Sequence, residues 1–552
     1  MQKLFYKSIL LFFILILSQK SGFTQSLSIG DPFESYIRLL GTDGNINDQP
    51  SFNLRPIYFK DNLSDSISDQ LHPWQKHPFF QQEDSNSELN IQLLAPQLMT
   101  TFNSHLPVGQ NDGALWQGKG LNTLLSSGFS ASYGLISTSF QPQFIFSQNL
   151  DFQLSQFPPP GGITEFGDPR SYSAVIDQPQ RFGNGALSRF HPGQSWIRLE
   201  YDGVSAGIST ENIWSGPAFQ NPIIFSNNAP GFLHAFIGTY KPVKTLIGNF
   251  EWRFLGGRLT ESKYFDEINS NDKRFINALI LNYSPSFIPG LHIGGTRMIQ
   301  KYYPPNGIDF SDITEIFQPF LKDKLRSQDN PSGNLGSHQM ISLFARWVFP
   351  SYGMEVYTEW SRNDHAGDFQ DLLRHFEHAR GYVLGLNKKF ELSKYRWLTT
   401  NIEVTQLEVP RLEEFRHTGS YYNNGEVPQG FTNRGQLLGA GIGPGSNNQR
   451  ILLNYYHPKG LWGFSLNRIV HHNDRLYQLY KRNLLERKPS ELHNVEFRVG
   501  FHGLRFIEIH NFEIQADLYW SHFLNYDYQF KNDRNNLNLQ LSVRYFLPGM
   551  IR

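Results

Sequence analysis

Residues 197–210 read Ile-Arg-Leu-Glu-Tyr-Asp-Gly-Val-Ser-Ala-Gly-Ile-Ser-Thr. Ile197, Leu199 and Tyr201 point one way along an extended chain, and Arg198, Glu200 and Asp202 point the other. After Asp202-Gly203 the alternation restarts, with Val204, Ala206 and Ile208 opposed by Ser205, Gly207 and Ser209. Asp-Gly between two such runs is the signature of a type I′ hairpin turn. The stretch is therefore a hairpin with one apolar and one polar face.

The same design recurs downstream. Ile341, Leu343, Ala345, Trp347 and Phe349 precede the turn 350–353, and Met354, Val356, Thr358 and Trp360 follow it, with Glu355 and Glu359 on the polar face. The last segment sets Leu537, Leu539, Leu541, Val543, Tyr545 and Leu547 against Asn538, Gln540, Ser542 and Arg544. Faces of this kind suit lipid outside and water inside. Strands are expected at 196–201, 204–210, 232–240, 245–255, 273–283, 291–300, 337–349, 354–361, 379–390, 396–408, 449–457, 461–470, 491–501, 511–521 and 537–547. Upstream, 113–121, 127–136 and 138–147 bring the number to eighteen, the even count that a single-chain bacterial barrel needs. Tight turns at 202–203, 241–244, 284–290, 350–353, 392–395 and 458–460 fall on one side. Long loops at 148–195, 211–231, 256–272, 301–336, 362–378, 409–448, 471–490 and 522–536 fall on the other, facing the outside. The fold class is an all-β transmembrane barrel of about eighteen antiparallel strands, preceded by a small, partly helical periplasmic region.

The flanking composition agrees with that location. Lys3 and Lys7 precede an apolar run at 9–17, and small residues Gly22 and Thr24 follow, which reads as a signal peptide over 1–24. The run is too short for a spanning helix, which needs roughly 20 residues. The 552 residues include no cysteine, so an exported chain of this length is held without disulfides. Aromatic residues make up 15% of it against a hydrophobic total of only 39%, as expected where one strand residue in two faces lipid and the rims are aromatic. The formal net charge is zero and nothing points to nucleic acid. Residues 25–110 form the N-terminal region and 111–552 the barrel. In the former, Asp31-Pro32-Phe33-Glu34 combines an N-cap, a proline at the first helical position and an acidic capping partner. Phe33, Tyr36, Ile37 and Leu40 continue at helical spacing to a stop at Gly41. The polar stretch 61–90 has weak periodicity.

Four segments carry a resemblance to a known family: QNDGALWQGKGLN at 110–122, SNNAPGF at 226–232, HARGY at 378–382 and VPQGFTNRGQLLGAGIGPGSN at 427–447. In these the chain resembles the Wzi-type capsule assembly proteins of Gram-negative outer membranes. The resemblance implies an eighteen-stranded barrel with an N-terminal helical element, acting as an outer-membrane lectin that holds capsular polysaccharide at the surface.

A lectin surface needs aromatic faces for sugar C–H groups and amides for hydroxyls. Loop 211–231 supplies Trp214, Phe219, Asn221, Asn227 and Asn228, although Asn-Asn-Ala-Pro-Gly is also ordinary turn chemistry. The glycine-rich run 439–445 lacks the residues of a phosphate loop and reads as a sharply folded loop. Two readings stay open, plain loop architecture, preferred over a binding site, and an infolded plug or constriction with Arg434 and Gln436 directed to the lumen. In 110–122, Asp112, Trp116 and Lys119 either line the pore or accompany glycines that let the first strand pack closely at the wall.

Asp364, His365, Asp368, His375, Glu377 and His378 are the densest group of metal-ligand types, yet their spacing matches no defined site, and His471-His472-Asn473-Asp474 is treated alike. No metal or cofactor is expected. Ser205 in Gly-Val-Ser-Ala-Gly sits within a strand, not at a strand-to-helix elbow, so no catalytic residue is assigned. The expected partners are capsular or other surface polysaccharide and outer-membrane lipid, with the protein a monomer. The alternatives are a passive porin and an outer-membrane enzyme acting on glycan or lipid.

Overall fold

The computed structural model of the chain describes residues 25–546 except 45, 47–49, 60–71, 78–79, 81–88, 158–163, 168–175, 327–335, 365 and 411–417. The leader, His365 and most of 61–90 lie outside the described residues. Eighteen antiparallel strands close into one barrel. The last strand, Arg534–Tyr545, pairs directly with the first, Leu89–Asn103, setting Asn538 opposite Asn103 and Arg544 opposite Gln97. Closure leaves no unpaired edge in the wall, the condition for a sheet to stand in lipid. At the hairpin 197–210, Asp202 and Gly203 have φ of 45° and 85°, the left-handed pair that a type I′ turn demands.

Three strand placements need correction, the first being that Leu187–His191, expected within the loop 148–195, already pairs with Gln143–Ser147 in the wall. The first strand is Leu89–Asn103, upstream of the expected start, while 113–119 is loop and the second strand begins at Gly120. Leu93-Leu94-Ala95-Pro96 breaks the alternation of the first strand, and its register shifts between Leu94 and Gln97, so period two is hidden there. The turn expected at 241–244 lies instead at Leu246-Ile247, between Val243–Thr245 and Gly248–Thr260. Pro242 interrupts a strand that then resumes, because it has no N–H for the ladder.

The outward face is apolar and the inward face polar. Ile197 and Leu199 are 55% and 53% exposed, against 1% for both Arg198 and Glu200. The inward face is nevertheless not simply wet, because much of the lumen is filled by the chain itself. The helix Pro32–Gly41 starts where expected, with the Asp31 carboxylate accepting from the Phe33 amide at 2.9 Å. It does not stand apart from the barrel. Phe33 and Tyr36 pack with Trp74 against Trp397, Tyr456 and Phe506, inward residues near the short turns. Farther along the helix, Arg38 Nε donates to Glu355 at 2.9 Å, and Arg346 Nε donates to the other oxygen of Glu355 at 2.6 Å. All three side chains are buried. The following segment is tied in the same way. The Ser51 amide donates to Glu251 at 3.0 Å, Asn53 donates to Asn282 at 2.8 Å, and Leu54–Arg55 pairs with Trp214–Ser215.

A carboxylate between two buried guanidinium groups is costly to remove, because both cations are left without compensation. Glu355→Gln is expected to destabilise the folded protein by about 3–5 kcal/mol. This is read as a lower urea midpoint for loss of the heat-modifiable band of the detergent-folded barrel.

Candidate functional site

The loop after the fifth strand, Val204–Ser209, turns into the lumen instead of outward. Two wall carboxylates hold its backbone. Glu403 accepts from the amides of Phe219, Gln220 and Asn221 at 2.6, 3.1 and 3.0 Å, and Glu359 accepts from Ile223 at 3.2 Å. Ile213, Ile223, Ile224 and Phe225 then pack with Tyr421, Tyr422, Phe431, Leu437 and Leu438 of the long loop 407–446, which also folds inward. These apolar side chains, unusual in an exposed loop, explain why both loops leave the surface.

Three of the four family-like segments interlock in this plug. The Ser226 amide donates to Leu438 at 2.8 Å, the Gly113 amide donates to Asn227 at 2.7 Å, and Gln436 Nε2 lies 3.4 Å from the carbonyls of both Gly113 and Asn228. A Cβ at Gly441 would come within 2.5 Å of the Gln110 side chain and 2.6 Å of the Asn228 amide oxygen, so a larger residue there must displace both side chains.

The expected site residues separate into three environments. Trp214 is buried beneath the Arg55 guanidinium, 4.2 Å from the ring centre, and Phe219 lies under Arg38 at 3.9 Å. Asn221 is buried and accepts from Gln110 at 2.6 Å. These three hold the plug together. Asn227, Asn228 and Gln436 border cavities, and Arg434 sits on the exposed side of the plug with φ of 53°. The expectation that loop 211–231 faces outward is thus corrected by its packing.

The plug leaves two cavities separated by a thin septum. The chain at 110–113 and Asn227-Asn228 form the septum, and Asp112 borders both spaces. The outer cavity, about 280 Å³, opens among the long loops. Trp116, Phe152, Phe523 and Tyr526 contribute rings to its lining. On its floor His471 lies 2.8 Å from Glu496, which also accepts from Arg498 at 2.7 Å. Trp116 Nε1, Gln178 Oε1, Gln436 Oε1 and Asn494 Oδ1 are buried polar atoms with no hydrogen-bond partner among the described residues. One donor and three acceptors therefore remain for a ligand rich in hydroxyls. Asp112 and Trp116 line cavities, and a Cβ at Gly118 would lie 2.8 Å from Ser147; the glycines do serve close packing, but of a loop leading into the second strand and not of the first strand as expected. Phe152, Gln178, Asn494 and Tyr526 were not singled out from the sequence, since they lie on three loops far apart in the chain and only closure of the barrel brings them together.

Burial raises the Asp112 carboxyl to about 7, against the pull of hydrogen bonds from Gln117 and the Gln110 amide. It likewise raises Asp177 to about 6, although Ser262 donates to it through both its amide at 2.7 Å and its hydroxyl at 2.5 Å. Among the described residues no three His, Asp or Glu side chains gather as metal ligands. Asp368 instead caps the helix Phe369–Arg374. Ser205 lies mid-strand opposite Glu200.

A closed barrel with an apolar outer face and a lumen filled by its own N-terminal segment and infolded loops is an outer-membrane protein of the plugged-barrel class. The family model described as capsule assembly protein Wzi matches residues 110–468, and the chain belongs to that family. A solved structure of Wzi from Escherichia coli, an outer membrane protein involved in group 1 capsule assembly and a carbohydrate-binding β-barrel, superposes with a TM-score of 0.60 at 10% identity. The alignment covers 95% of this chain and 100% of that one. Acinetobacter baumannii OccAB2 aligns with a TM-score of 0.40 at 12% identity, over 82% of this chain and 97% of that one. A comparison with curated proteins finds no match.

Asp112 binds its proton more tightly folded than unfolded. The stabilisation linked to that proton is complete below the unfolded value of 3.8 and is lost as pH rises through about 7. Asp112→Asn should therefore raise the thermal midpoint of the detergent-folded protein at about pH 8 and leave it nearly unchanged at about pH 4. A parallel upward shift at both pH values would mean that Asp112 is ionised in the folded protein.

Proposed function

We propose that the protein binds exported surface polysaccharide at its outer cavity and so supports capsule assembly or attachment, without chemically altering the glycan. The observation that carries this reading is the lining of that cavity. Aromatic rings from three separate segments surround buried amide oxygens and an indole N–H that have no partner among the described residues. Rings serve the C–H faces of a pyranose, and unpartnered acceptors serve its hydroxyls. Membership of a capsule assembly family supports the same reading, as does the carbohydrate binding ascribed to the Escherichia coli relative. A repeating polymer presents the same epitope many times, so a shallow site of modest affinity still retains it by avidity.

The test is binding of the detergent-folded protein to polysaccharide isolated from its own source cells, with an unrelated polysaccharide as control. Selective binding without shortening of the polymer is expected. Trp116→Ala should weaken it about tenfold, corresponding to about 1.4 kcal/mol, while Trp214→Phe, deep in the plug, should leave the affinity within about twofold. Equal affinity of wild type and Trp116→Ala would remove the cavity from the binding surface.

The septum and plug also bear on passive transport. Wild-type protein in planar bilayers is expected to show no sustained conductance, whereas a variant lacking 213–229 should conduct. Steady wild-type conductance would favour a channel.

A further inference from the structure

The second cavity, about 290 Å³, lies below the septum in the half of the barrel bounded by the short turns. Its chemistry differs from the rest of the inward face. Elsewhere the wall presents buried ions such as Arg198, Arg274, Arg346, Glu355 and Glu403. Around this cavity, where the first strands meet the last, the wall supplies amides and hydroxyls, among them Gln97, Gln143, Gln515, Gln540, Ser126 and Ser542. The charged lining groups are Asp31, Asp112 and Arg544. Asp31 and Arg544 neutralise one another at 2.8 Å, leaving Asp112 in the septum.

Three buried polar atoms of this lining have no hydrogen-bond partner among the described residues: Ser126 Oγ, the indole N–H of Trp196 and Asn111 Oδ1. A hydroxyl, a donor and an acceptor held in a chamber of amides form a surface suited to an uncharged polyol. An anion finds no unpaired cation in the lining, and an apolar chain would strand the polar groups. The volume approaches the lower bound of ligand pockets, roughly 300 Å³.

We propose that the inner cavity is a second saccharide site, which takes an uncharged segment of glycan on the periplasmic side of the septum. The proposal rests on the reading that the ligand class is a surface glycan, and it adds a second, separate place of contact. With saccharide sites above and below one thin septum, a glycan strand meets the protein from both faces of the membrane. The inner site selects for neutral sugars, while the outer one, floored by Glu496, Arg498 and His471, accepts charged ones as well.

The absence of cysteine from the chain supplies the test. Gln540→Cys places a single thiol in the inner cavity, and Asn494→Cys, in a separate protein, places one in the outer. Each folded protein is treated with a small methanethiosulfonate reagent, which converts the thiolate to a mixed disulfide and releases methanesulfinate, with and without oligosaccharides cut from the surface polysaccharide of the source cells. Slowing of Gln540→Cys modification by about tenfold or more is expected, and Gln97→Leu in that background should shift the half-protecting concentration upward by about tenfold. Unslowed modification at 540 with protection at 494 would overturn the inner site and leave the outer reading intact. Protection at 540 alone would support the inner site and remove the outer one, and protection at neither would overturn both. If Gln540→Cys fails to give a heat-modifiable barrel, Gln515→Cys carries the same readout.

Discussion

The pairing of Leu89–Asn103 with Arg534–Tyr545 is the constraint on which the rest of the molecule depends. It joins residues more than four hundred positions apart in the chain and turns an open sheet into a closed wall. With no water in the bilayer core, an open edge would leave its N–H and C=O groups unsatisfied at several kcal/mol each. Closure also fixes the fate of every side chain. Successive residues alternate between lipid and lumen, so the polar member of each pair is sent inward, whether or not water is there to receive it.

Much of the inward face meets protein instead of water, and this explains the polar architecture of the lumen. Arg38, brought by the N-terminal helix, answers Glu355 on the wall, which is answered again by Arg346. Glu403 and Glu359 accept backbone amides of the infolded loop. In each case a wall ion is compensated by a group from a segment that is not part of the wall. Such contacts specify where a plug sits more than they add to net stability, because the desolvation of each ion offsets much of what its partner returns. The apolar cluster of Ile223, Ile224, Phe225, Tyr422, Phe431 and Leu438 supplies the driving force for burial.

The cavities are what this packing leaves behind. The inner one lies on the side of the lumen bordered by the first and last strands, where the wall carries glutamine and serine, whereas the outer one is floored by the wall residues Glu496 and Arg498. The septum between them is one strand of loop thick and is made from the same segments, 110–122 and 226–232, that carry the family resemblance. Within them Gly113 approaches the backbone of Asn227, and Gly441 of the segment 427–447 packs against the side chains of Gln110 and Asn228.

The sequence by itself determined the wall. Period-two alternation, the Asp202-Gly203 turn, the unequal lengths of successive connections and the count of eighteen strands are local properties, and local properties are legible in a linear text. The helix at 32–41 was legible for the same reason, through its cap and its spacing. Where local signals conflicted, as in the bulged first strand around Pro96, the reading slipped. Only the tertiary structure decided which way the loops go and what they enclose. Trp214 and Phe219 look like sugar platforms in isolation, but Arg55 and Arg38, far off in the chain, lie on their faces. Phe152, Gln178, Asn494 and Tyr526 carry no local signature, because a cavity assembled from three loops exists only once the barrel has closed and brought their ends to one rim.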